Sequence, residues 1–219
     1  MRVLNRCSLC AALLLFASQA SATPLNLTLN EFPDILSQFV DVNYVAATDA
    51  FTANGVALQV SAAPGTTFNI IGGSFNIAIA TDGTTSAGTA GDDLSIVGGL
   101  DVDNDGVPDV AGALLTGELT AFGASASGPG VFEFLFNVTG GILNTTLPLY
   151  AGPIGVILGA DGNSTFTGSF DSDFSNLMGG VPGTGTGSAD TAPVPEPTTL
   201  LLLGSGLAGI VGAGRRSRR

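Results

Sequence analysis

Lysine, histidine and tryptophan are absent from this 219-residue sequence, and charged residues make up only 11% of it, against about 25% in an ordinary domain. The six basic residues are all arginines at the two ends: Arg2 and Arg6, then Arg215, Arg216, Arg218 and Arg219. The two cysteines, Cys7 and Cys10, lie in the first ten residues. From Thr23 to Pro193 there is no cationic side chain and no thiol. Without an imidazole, Ser-His-Asp and Cys-His nucleophilic sites are excluded there. Without lysine there is no Schiff-base chemistry, and without His or Cys no zinc site of the usual kind. The net charge is −12. A surface with acids and no cations repels phosphate backbones, so nucleic acid is not a partner.

The ends carry targeting signals. Arg2 and Arg6 precede the apolar stretch Leu9–Ala17, and Ala20-Ser21-Ala22 forms a small-residue cleavage site. This is the pattern of a secretory signal peptide over residues 1–22, with a mature chain starting at Thr23. Cleavage removes both cysteines, so the mature chain has no disulfide. Export of this kind uses the Sec machinery.

At the other end the order is Pro-rich break, apolar run, arginine cluster. Val194-Pro195-Glu196-Pro197 is followed by 198–214, seventeen residues without charge, and then by Arg215, Arg216, Arg218 and Arg219. As a helix at about 1.5 Å per residue, the run would span roughly 26 Å, the short limit for a single transmembrane helix. The arginines would stop transfer on the cytoplasmic side, with the domain outside.

This arrangement over 194–219 resembles a PEP-CTERM sorting signal. The resemblance implies an exported protein of Gram-negative bacteria, held in the inner membrane as an intermediate. It implies recognition of the Pro-Glu-Pro segment by exosortase, a membrane-embedded transpeptidase-like cysteine protease, with removal of the tail. It further implies delivery to the cell surface or extracellular matrix, in association with exopolysaccharide or biofilm. The same resemblance carries no catalytic activity for the rest of the chain.

Between the ends, 23–178 reads as one all-β extracellular domain. Val40, Val42 and Tyr44 alternate with polar residues, as do Phe75, Ile77 and Ile79, and Phe132, Phe134 and Phe136. Asn54-Gly55 and Asp82-Gly83 read as tight turns. Further strands are expected at Leu94–Ile96, Leu115–Phe122, Ile154–Leu158 and Phe166–Phe170, with a helical turn at Pro33–Gln38. Eight or nine short strands with Gly-rich turns predict a sandwich or jelly-roll-like antiparallel fold. The alternating phenylalanines read as core. The Gly/Thr/Pro-rich stretch 179–193 reads as a flexible linker.

One motif in the domain suggests chemistry. Asp101, Asp103 and Asp105 fall at i, i+2 and i+4, followed by Gly106, with the Val107 carbonyl and Asp109 at the seventh and ninth positions. Ca²⁺ takes six to eight oxygens, and this spacing lets carboxylates converge. Position twelve is Gly112, not the Glu of an EF-hand, so the loop is more similar to thrombospondin type 3 or dockerin-type calcium loops. Asp92 or Asp93 could supply a missing ligand. A solvated acidic turn is the plain alternative. The domain has three glutamates, Glu31, Glu118 and Glu133, and none lies in a hydrolase motif.

The sequence therefore predicts a non-enzymatic surface or matrix protein sorted by exosortase. The alternative is a calcium-dependent carbohydrate-binding module. A carboxylate-pair hydrolase comes third, to be judged by what stands beside Glu118 and Glu133.

Overall fold

The computed structural model describes residues 23–125 and 130–195. Its ten strands are β1 (Asp34–Val45), β2 (Ala50–Ala63), β3 (Thr66–Thr81), β4 (Ser86–Gly88), β5 (Leu94–Asp101), β6 (Val110–Ser125), β7 (Val131–Gly140), β8 (Pro153–Gly159), β9 (Phe174–Ser175) and β10 (Gly187–Pro193). One helical turn, α1 (Ile142–Thr145), lies between β7 and β8.

Period-two burial builds the strands as the sequence suggests. Phe132, Phe134 and Phe136 are fully buried, as are Ile154, Val156 and Leu158 on the neighbouring strand. The residues between them face outward. The all-β antiparallel class holds, but the sheet is not split into a sandwich. β1, β2, β3, β5, β6, β7, β8 and β10 pair in that order, and β10 pairs back onto β1. Every pairing is antiparallel, so the chain forms an up-and-down barrel of eight strands. β4 and β9 add short pairings to β3 and β1.

Closure depends on the segment expected to be a linker. Residues 187–193 are β10, with Gly187, Ala189 and Thr191 facing inward. Their alternation is real, but small side chains conceal it from a hydrophobicity pattern. Closing the sheet pairs strand edges that a sandwich would leave open.

Three local expectations also change. Asn54-Gly55 lies inside β2 rather than at a turn. A Cβ on Gly55 would sit 2.7 Å from Val40 Cγ2, so glycine there admits the bulge of β1 around Phe39. The actual β2–β3 turn uses Pro64-Gly65, with Gly65 at φ +74°. Pro33–Gln38 is not helical, since β1 starts at Asp34. Phe166–Phe170 forms no strand. Phe166 and Phe170 instead turn into the barrel and join Phe174, with ring centroids 4.7–5.3 Å apart.

The barrel interior is filled by side chains. Phe51 packs 5.0 Å from Phe132, and Tyr44 stacks on Phe174 at 4.9 Å. An eight-stranded barrel is just wide enough for this. The outward positions include Asp41, Asn43, Thr52, Asn54, Asn76, Ser95 and Thr116.

The extended segment 23–33 runs over the outer face as a strap. Asn26 and Leu27 donate their backbone N–H groups to the Glu133 carboxylate at 2.9 and 3.0 Å. Gly123 and Gly155 make room for it: a Cβ there would lie 2.6 Å from the Thr23 oxygen and 2.5 Å from Leu29 Cδ2.

Among the described residues no helix is long and apolar enough to cross a membrane. The segment 1–22, expected to be a signal peptide, and the apolar run 198–214 lie outside the described residues, as do Glu196, Pro197 and the arginine cluster.

Candidate functional site

The meander places the strand connections at two ends of the barrel. One end holds the start of β1, the β2–β3 turn, the β5–β6 loop, the β7–β8 connection and the end of β10. The sorting segment and the acidic loop therefore share an end.

β10 feeds the sorting segment without an interval. Pro193 pairs with Ile154 and accepts the N–H of Asn30 at 3.0 Å. Val194 donates to the Pro153 carbonyl at 3.1 Å, and its side chain lies over Gly155 beside Leu27 and Leu29. Pro195 is exposed. The strap and the closing strand thus bracket the start of the motif.

Beside this exit lies a cleft of about 280 Å³, lined by Leu29, Asn30, Glu31, Asp34, Ile157 and Asp190. Asp34 and Asp190 both face outward, on the two strands that meet at the closure. Burial, with a smaller contribution from Asp190, raises the Asp34 carboxyl to about 6. Burial also raises Asp190. The Asp34 Oδ1 atom is buried without a hydrogen-bond partner. Tyr150 donates its hydroxyl to the Thr191 carbonyl at 3.2 Å, and burial pushes its phenol well up, with Asp34 adding to the shift.

The β5–β6 loop wraps as the spacing suggested. Asn104 at φ +59° and Gly106 at φ +91° turn the chain. Oxygens of Asp101, Asp103 and Asp109 gather within 4.8 Å of one another. Asp101 is buried and accepts the N–H groups of Asp105 and Gly106 at 3.1 and 3.0 Å. Asp109 accepts from Val102 at 2.7 Å. Asp105 stands outside that group and accepts the Val107 N–H at 2.8 Å. The Asn104 side chain ties the loop to β3 through Thr67 and Asn69. Asp92 and Asp93 do not complete this site. They precede the start of β5 while Asp101 ends it, and eight strand residues at about 3.3 Å each keep them roughly 25 Å away.

Several other carboxylates have structural partners. Asp93 accepts N–H groups from Thr89 and Leu119, and Asp92 accepts the Thr139 hydroxyl. Glu118 faces both aspartates; partial burial first, then their charge, raises its carboxyl. Glu133 is committed to the strap. The sequence signal for this clamp is a single glutamate that alternates with the phenylalanine stripe of β7.

Comparison with known families identifies the segment that follows β10. Residues 193–219 match the family model for the PEP-CTERM protein-sorting motif, beginning at the last residue of β10. No curated protein and no solved structure matches the chain. Residues 193–219 are thus a PEP-CTERM protein-sorting motif, which marks this chain as an exported protein sorted by exosortase.

Proposed function

We propose that the mature protein is a non-catalytic module of the cell surface or extracellular matrix, released from its membrane tail by exosortase within Pro195-Glu196-Pro197. The observation that carries this is the fusion of the sorting motif to a side-chain-filled barrel at Pro193. Such a barrel offers its outer face, not an internal cavity, to partners. That face carries acids and no cations between residues 23 and 193. It suits a neutral polysaccharide, or an acidic one bridged by divalent ions, because a bare polyanion would be repelled. Fractionation of the native host tests this. The protein should co-purify with exopolysaccharide and move to the inner-membrane fraction when exosortase is deleted. Recovery only in the inner membrane of the wild-type host would contradict it.

A second reading, calcium-dependent binding, is favoured by the gathering of Asp101, Asp103 and Asp109. Asp103 and Asp109 are the exposed members, and Asp101 would anchor the ion from below. Calorimetry with CaCl₂ should give saturable heat that Asp103→Asn abolishes. A flat titration ends this reading. The hydrolase reading has least support, since Glu133 is held by backbone donors and Glu118 sits beside aspartates bound to the fold.

A further inference from the structure

Five peptide units separate the end of β10 at Pro193 from the start of the apolar run at Thr198. Fully extended they reach at most about 18 Å. The whole Pro195-Glu196-Pro197 segment lies inside that reach. A membrane enzyme that takes this segment therefore works within about 18 Å of the barrel rim if 198–214 crosses the bilayer.

The chain on the barrel side is not free. Residues 187–191 pair with β1, and residues 188–193 pair with β8. Val194 is tied to Pro153 and packed against the strap. An extended peptide is commonly bound as a strand added to a sheet edge, which needs its own backbone edges free. Upstream of Pro195 both edges of this strand are largely taken.

The same rim is acidic. Glu31, Asp103, Asp105, Asp109 and Asp190 are exposed on or near it, and no cation among the described residues offsets them. Val107 projects from the loop at 62% exposure.

We propose that this barrel rim docks on the sorting enzyme, as a folded recognition surface beside the point where the chain leaves it at Pro195. The inference rests on the exosortase reading above. The enzyme reads the chain from Pro195 onward while β10 and Val194 stay in the sheet. Its facing surface carries cationic side chains that complement the rim.

The test uses the full-length chain in its native host, followed by pulse-chase conversion of precursor to processed protein. An insert of about ten Gly and Ser residues between Pro193 and Val194 keeps the motif intact and moves it roughly 17 Å from the rim. Processing should slow by about tenfold or more, as when one of two linked contacts is lost. Unchanged processing overturns the proposal. Faster processing overturns it too, because the sheet then only obstructs the enzyme. The paired substitution Glu31→Gln with Asp105→Asn should also slow processing, with thermal unfolding of the barrel unchanged; an unaltered rate contradicts the charge complementarity. Glu196→Ala in the uninserted chain separates the two readings. If the natural chain is not processed, or Glu196→Ala changes nothing, the exosortase reading itself fails. If Glu196→Ala blocks processing while the insert and the paired substitution do not, only the docking proposal fails.

Discussion

Glu133 on β7 accepts the backbone N–H of Leu27 at 3.0 Å, and so ties the segment 23–33 to the outer face of the barrel. The same carboxylate accepts from Asn26 at 2.9 Å. Glu133 is 7% exposed, and its pairing with two backbone donors is what makes that burial tolerable. The strap in turn holds Pro193 through Asn30 and covers Gly155 beside Val194. The strap and the closing strand therefore meet where the sorting motif begins.

Glu133→Ala removes the acceptor for both amides. The expected loss is about 2–3 kcal/mol, since hydrogen bonds to charged groups are worth more than neutral ones. Limited proteolysis should then cut within residues 23–30 before the barrel unfolds. A variant with native unfolding temperature and a protected strap would contradict the clamp.

Asn176 closes the barrel wall at the β1 bulge. Its Oδ1 accepts the Val42 N–H at 2.7 Å, and its Nδ2 donates to the Val40 and Ala160 carbonyls at 2.8 and 2.9 Å. All of these groups are buried. Asn176→Ala leaves them unpaired and should cost about 3 kcal/mol. Asn176→Asp should be no better, because it removes both donors. Denaturant unfolding measures each change; a loss under about 1 kcal/mol would show that the network is dispensable.

Asp34 gives the fold a pH dependence of defined sign. Its carboxyl rises from an ordinary 3.8 to about 6, through burial first and Asp190 second. Glu31 lines the same cleft, Asp190 faces it from β10, and Tyr150 lies on the inner side. The folded state holds this proton more tightly than the unfolded chain does. The associated stability is present below about pH 4 and is lost as pH rises to about 6. Asp34→Asn should therefore raise the melting temperature at pH 7.5 and change it little at pH 4. Equal shifts at both pH values would remove Asp34 as the cause.

Much of the barrel is visible in the sequence because large apolar residues mark its inner face. Phe75, Ile77 and Ile79 on β3, like the phenylalanine triplet on β7, announce both strand and orientation. β10 is invisible by the same criterion, because Gly187 and Ala189 bury little area while satisfying the same alternation. The distinction between a sandwich and a barrel depends on that one strand, through pairings with β1 about 150 residues away in sequence, a distance over which local patterns say nothing. Asn54-Gly55 misleads because a glycine needed for close approach looks like a glycine needed for a turn. In the acidic loop, the turn and three of its four aspartates follow from spacing alone. Asp105 departs from the set because its carboxylate is nearer to the Val107 N–H, a local competition that spacing does not encode. Asp93 is excluded by the length of β5. The strap was hidden because its contacts are backbone donors, which every residue carries.

The most direct test of the whole account is the intact mass of the protein recovered from outside the native host. The account predicts a chain beginning at Thr23 and ending within Pro195–Pro197, with or without an attached glycan. A mass running from Thr23 to Arg219 would contradict it, because the tail would then be a permanent part of the protein and not a signal that is read and removed.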